Sequence, residues 1–226
     1  MSQPVGDDRD ISKTDRVYTV LRRRIRDLTL APGAPLRKEE IAFELGVSRA
    51  PVSEAIARLA EEGLIDVFPQ HGSFVALIRA ADLRESLFVR TALEVEAMRR
   101  LAQVVDAATL ERLDENLASQ ARALDAGNLE EFYDLDEALH AAIFGAIAAP
   151  HALRLLEAAR APLDRVRRLA LPIAGRPEQT LAEHRALVEA IRSRDAEYAA
   201  AAMRAHLAMV ARAIEQKLPE IEATRG

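Results

Sequence analysis

Along most of the chain, apolar residues return every three or four positions, the spacing that gathers them on one face of a helix. Val17, Val20, Leu21, Ile25 and Leu28 form the first such stripe, with Arg22, Arg23, Arg24 and Arg26 on the opposite face. Pro32-Gly33 ends it. A shorter helix is predicted from Arg37 to Leu45, burying Ile41 and Leu45 and closed by Gly46 as a left-handed cap. Ser48 is placed to cap a third helix, with Pro51 in its first turn and Val52, Ile56 and Leu59 on its apolar face, up to Gly63. The period then changes. Leu64–Phe68 and Ser73–Leu77 read as two strands around Pro69-Gln70-His71-Gly72, a β-hairpin.

Beyond residue 78 the helical period returns and holds. Helices are predicted over about 81–104, 107–126, 129–148, 150–170, 179–193 and 195–217. Asp82 and Asp195 suit N-caps, Gly127-Asn128 separates the second and third helices, and Pro150 opens the fourth. Thr180-Leu-Ala-Glu183 has the form of a capping box. Short connections make these helices antiparallel neighbours in one bundle. The expected fold is mostly α: a winged helix-turn-helix of three helices plus a β-hairpin, then an all-α antiparallel bundle of about six helices. The expected boundaries are a disordered polar tail over 1–11, a DNA-binding domain over 12–78, and an effector-binding and dimerisation domain over 79–226.

A chain of 226 residues, half of them hydrophobic and 30% charged, suits two small soluble domains. It has no cysteine. That excludes disulfides, thiolate metal sites and a cysteine nucleophile, so any metal ligand is a histidine or a carboxylate. No apolar run reaches the roughly 18 residues of a membrane span, and MSQPVGDDRD is polar and acidic, unlike a signal peptide. A cytoplasmic protein without membrane contact is expected. The net charge of −5 does not announce a nucleic-acid ligand. Residues 1–78 hold eleven basic and twelve acidic residues, and residues 79–226 hold twenty and twenty-four. DNA binding must therefore rest on where the charges sit.

They sit well for it in the segment Ile41–Ile65. The early turns of the third predicted helix project Ser48, Arg49 and Ser53 away from Val52 and Ile56, as a recognition helix does in the major groove. Arg49 can make the two-pronged contact to a guanine edge. Arg37, Lys38 and Arg58 are close enough in sequence to reach phosphates, and His71-Gly72 at the hairpin tip can touch the minor groove or the backbone.

LGVSRAPVSEAIARLAEEGL, residues 45–64, resembles the winged helix of GntR-type regulators, whose signature runs L-G-V-S-R-x-P-V-R-E-A-L with a following R-L and G-L. Ser53 stands where that family usually has arginine, so its usual operator preference is not carried over. The second half resembles the FCD effector domain of the FadR-like branch. The motifs that carry this resemblance are Arg90-Thr-Ala-Leu-Glu94, Asp136-Glu-Ala-Leu-His140, Glu183-His184 and His206, in that order. The family commonly has asparagine near Pro150; here His151 follows it and is expected to face solvent.

The resemblance implies a divalent metal held by Asp136, His140, His184 and His206. Spacing agrees with it. Asp136 and His140 are four apart on one helix face, and His184 and His206 lie 22 apart on either side of the turn near 193–194, so both rings can reach about the same height if these helices pair as a hairpin. Three nitrogens and one oxygen suit zinc best among zinc, nickel, iron and manganese, and calcium poorly. Arg90 can hold the far end of an acidic effector, or pair with Glu94 four residues on. The run Arg165, Arg167 and Arg168 reads as a solvated face.

The function expected is a homodimeric regulator, a repressor in the first instance, that binds double-stranded operator DNA under control of a small carboxylate at the metal. Two other readings stand beside it. A metal-dependent hydrolase or lyase could use the same four ligands, although no separate base is placed by motif. Alternatively, the metal is purely structural. No glycine-rich phosphate loop supports nucleotide binding.

Overall fold

The computed structural model describes residues 12–169 and 175–223; the tail expected over 1–11 lies outside them. The chain divides into two compact units, residues 1–78 and 79–226.

The first unit holds α1 (Lys13–Arg26), β1 (Pro35–Leu36), α2 (Lys38–Leu45), α3 (Arg49–Glu61), β2 (Ile65–Phe68) and β3 (Gly72–Val75). Val17, Leu21 and Ile25 of α1 meet Val52, Ile56 and Leu59 of α3 in its core. Gly46 closes α2 in the left-handed region at φ 63°, a conformation that costs a residue with a Cβ more than glycine. The sheet has three strands in the order β1-β3-β2, all antiparallel, with Pro35 opposite Phe74 and Phe68 opposite Gly72. The hairpin expectation missed β1, because two residues are too few to show a period.

Other local expectations need correction. Ser48 occupies the N-cap position of α3, but its side chain makes no capping bond. Leu28 has a φ of 65° just beyond α1, and Leu45 is only half-buried. Phe43 of α2 is almost wholly exposed.

The second unit comprises α4 (Ala80–Val104), α5 (Ala107–Asp125), α6 (Leu129–Ala146), α7 (Pro150–Leu169), α8 (Arg176–Arg192) and α9 (Ala196–Ala223). α4 packs on α9 and α7, α5 on α6 and α8, and α8 on α9. Met98, Leu101, Leu113, Phe132, Leu139, Ile191 and Met203 are among the residues of its apolar core. Asn128 caps α6 by accepting the Glu131 amide, and Asp195 accepts the amides of Glu197 and Tyr198 at the start of α9. Asp82 is not a cap: α4 starts two residues earlier, with Arg79 as the flanking residue. Among the described residues no helix is long and apolar enough to cross a membrane.

Candidate functional site

Six helices each send at least one polar side chain into the second unit's interior. Asp136 and His140 come from the same face of α6, His184 from α8 and His206 from α9, and all four are buried. A ligating nitrogen from each of the three histidines lies within 4.8 Å of the other two, close enough for one metal ion to reach all three. The ring centroids are 5.1–5.6 Å apart. Asp136 Oδ1 lies 3.3 Å from His184 Nε2, which puts the carboxylate beside the cluster.

What surrounds the rings decides which nitrogens face one another. His206 Nδ1 is 2.8 Å from Glu183 Oε2, and His140 Nδ1 abuts Glu94 of α4. His184 Nδ1 is 2.8 Å from Gln120 Oε1 of α5. The Gln120 amide nitrogen donates to Asn116, whose own amide donates to the Leu135 carbonyl. That relay orients the Gln120 oxygen towards the ring, so His184 Nδ1 carries the hydrogen. With the Nδ1 atoms of His184 and His206 hydrogen-bonded outward and that of His140 against Glu94, the Nε2 atoms are left facing inward, each buried without a hydrogen-bond partner. Such a set of acceptors, one of them beside a carboxylate, suits a cation. It also reproduces the way metal-binding histidines are held by outer acceptors.

Burial pushes His140 down to about 3, despite Glu94 beside it, and His206 down to about 4, despite its bond to Glu183. Both rings are therefore neutral at pH 7, the form that binds metal. Burial alone would raise Glu94, but Arg90, His140 and Arg160 outweigh it and hold the carboxyl well below the ordinary range. Burial likewise works against Glu183, and bonds from His206 and Arg176 lower it.

These shifts set a pH dependence for the metal-free protein. Unfolding returns His140 and His206 to a value near 6.5, so below that pH the unfolded chain binds more protons than the folded one. Stability then falls as pH falls. Between pH 6.5 and 5 the expected loss is about 1.6 kcal/mol per ring, or about 3 kcal/mol together. Glu94 and Glu183 add a loss of the same sign below about pH 4.5. Urea melts of chelated protein across this range check it; a constant midpoint would show that the rings take up protons in the fold as they do in the unfolded chain.

Sequence reasoning missed much of this outer layer. Thr180 and Glu183 do not form a capping box, because α8 begins at Arg176 after Gly175. Thr180 sits inside the helix with its hydroxyl donating to the Arg176 carbonyl. Glu183 instead binds both Arg176 and His206. Arg90 is buried, and its Nε donates to Glu94 Oε1 at 2.6 Å. Arg165 is also buried rather than part of a solvated face; the side chains of Arg167 and Arg168 lie outside the described ones. Arg160 and Gln120, both buried, were not singled out at all. The i, i+4 spacing of Arg160 from Asp164 on α7 is the signal that could have drawn notice to Arg160, since Asp164 is buried with it. His151 is exposed beside Arg154.

Gln120→Leu should retain the fold while weakening metal binding about 10- to 100-fold, since it frees the His184 ring to turn. A competition titration with a zinc indicator measures this, and unchanged affinity would remove Gln120 from the site.

In the first unit, Ser48 and Arg49 are exposed at the start of α3. Arg49 lies 3.0 Å from Glu39 of α2, beside the exposed Arg37 and half-buried Lys38. Arg37 pairs with Glu40. Ser53 is half-buried one turn on, and His71 and Gly72 are exposed at the hairpin turn. Arg58 stands apart from them. It binds Asp15 at 2.7 Å and lies over the Tyr18 ring, tying the far end of α3 to α1.

The chain is similar to known proteins over both units. The family model for the gntR family of bacterial regulatory proteins matches residues 13–75, and that for the FCD domain matches 85–209. An HTH-type transcriptional regulator from an unstable DNA locus of Streptomyces ambofaciens is 39% identical over 212 residues, covering 92% of this chain and 89% of its own. The transcriptional repressor RspR of Escherichia coli K12 is 34% identical over 201 residues, 89% of this chain and 88% of its own. Escherichia coli McbR/YncC shares the fold at a TM-score of 0.75 and 20% identity, covering 90% of this chain and 98% of that one. The Streptomyces ambofaciens and RspR relatives are transcriptional regulators, which leaves the hydrolase or lyase reading without support.

Proposed function

The chain belongs to the gntR family of bacterial regulatory proteins and carries an FCD domain, and from that premise we propose that a small organic acid, anchored at a metal ion inside the bundle, sets its affinity for operator DNA. That it is a DNA-binding transcriptional regulator follows from the family itself. The observation that supports the finer reading is the inward convergence of three buried imidazole nitrogens, each with its other nitrogen held. His140, His184 and His206 with Asp136 would hold the ion, zinc first among the candidates. Once bound, it supplies a Lewis-acidic centre to which a carboxylate can coordinate. Glu94, Gln120 and Glu183 keep the rings turned towards it. Arg90 belongs to the same polar cluster through Glu94 and contributes positive charge facing an acid.

The regulator acts as a homodimer in the cytoplasm, presenting two winged helices to the two halves of an operator. The acid switches it by binding the DNA-competent and DNA-incompetent arrangements with different affinity. Ser48, Arg49 and Ser53 read bases, Arg37 and Lys38 reach phosphates, and His71-Gly72 follow the adjacent groove. Arg49 must leave Glu39 to do so. Arg49→Ala should weaken binding to a duplex selected from a random pool by about 1–3 kcal/mol and relax preference at one base pair per half-site. A uniform loss over all sequences would make Arg49 a phosphate contact instead.

Thermal shifts with a panel of short carboxylic acids test the sensor reading. Acids should raise the melting temperature of zinc-loaded protein and leave chelated protein unmoved. Equal shifts in both would remove the metal from acid binding, and bound zinc with no shift from any acid would leave it a structural ion.

A further inference from the structure

Among the described side chains, the buried charges around the site cancel before any metal or ligand is added. Glu94 and Asp136 carry two negative charges against Arg90 and Arg160, which carry two positive ones. Asp164 and Arg165, both buried farther along α7, add one charge of each sign. At the margin Glu183 is matched by Arg176. A divalent ion on the three histidines and Asp136 would therefore leave two positive charges uncompensated in a closed interior, where unpaired charge is costly.

Arg160 points to what compensates them. Its Nη2 donates to Asp136 Oδ2, while Oδ1 of the same carboxylate faces His184. The guanidinium is only 4% exposed, yet its Nε and Nη1 have no hydrogen-bond partner. One carboxyl group thus spans from the histidine cluster to a buried cation with donors to spare, so the two anchors are close together.

Building on the acid-sensing reading above, we propose that the effector is a short dicarboxylate, one carboxylate taken by the metal and the other by Arg160. The diacid supplies the two missing negative charges and satisfies the idle donors. Monocarboxylates leave one charge buried and Arg160 unsatisfied.

Calorimetric titration of the zinc-loaded full chain with malonate and succinate, each paired with its half-amide, tests this. The half-amide keeps the shape and removes one charge. Each diacid should bind at least about 30-fold more tightly than its half-amide, the ratio expected for one charged hydrogen-bonded contact. In Arg160→Gln that preference should fall below about threefold. Zinc content is measured on both proteins, and if the variant sheds its ion the wild-type ratio decides alone. Half-amides that bind as tightly as diacids would overturn the proposal and leave acid sensing intact, as would a zinc-retaining Arg160→Gln that keeps the preference. If no acid of either kind binds the zinc-loaded chain, acid sensing itself fails and the proposal with it.

Discussion

His184→Ala should leave the purified protein with almost no bound metal, where the wild type retains close to one ion per chain. The ring is the most enclosed of the three: it is fully buried, its Nδ1 is held by the Gln120 relay, and its Nε2 faces both Asp136 and the other imidazoles. Removing one of three nitrogen donors costs most of the affinity of a site of this kind. Gln120 offers only an amide and is already engaged with Asn116. Affinity should drop by a factor on the order of a thousand or more, about 4 kcal/mol by the usual conversion. Bound metal also stabilises the folded state by mass action. The melting temperature of the variant should therefore stop responding to added zinc, while that of the wild type climbs with it. Elemental analysis and a zinc-dependent melt are sufficient to check both parts.

Arg90→Met should destabilise the metal-free protein by about 3–5 kcal/mol, the cost of leaving a buried partner charge uncompensated. Glu94 is fully buried, and Arg90 is the first of the charges holding its carboxyl ionised. Without that guanidinium, Glu94 either takes up a proton, and no longer holds the His140 ring as an ionised acceptor, or pulls a proton onto His140, which makes the ring cationic. Zinc affinity should consequently fall along with stability. Arg90→Met/Glu94→Leu, which removes both charges, should recover much of the loss in a urea melt. A double variant no better than the single would mean that Arg90 acts by packing alone.

The apolar pattern made the architecture legible because burial dictates it. Val17, Leu21 and Ile25, or Val52, Ile56 and Leu59, each follow one period on one face, and each turned out to be core. β1 escaped because its only partner is a distant strand, and pairing across that gap leaves no local trace. The histidines were found through their order along the chain, which a resemblance can capture. Their outer partners were not, for a physical reason. Gln120 and Arg160 are polar residues at positions where a helix alone gives no hint of burial; what buries them is a charge or ring on another helix. Thr180-Leu-Ala-Glu183 shows the reverse error, a local motif that a longer helix overrode, turning Glu183 from an imagined cap into the partner of His206. Arg165 was misjudged likewise, because an arginine run reads as surface until Asp164 beside it is known to be buried.

The most direct test of the central claim is operator affinity measured four ways: zinc-loaded and chelated protein, each with and without a stabilising acid, on one duplex selected from a random pool. The acid should shift affinity by about tenfold or more in the zinc-loaded protein, a coupling of about 1–3 kcal/mol being typical, and by nothing measurable after chelation or in His184→Ala. An equal shift with and without the ion would contradict it.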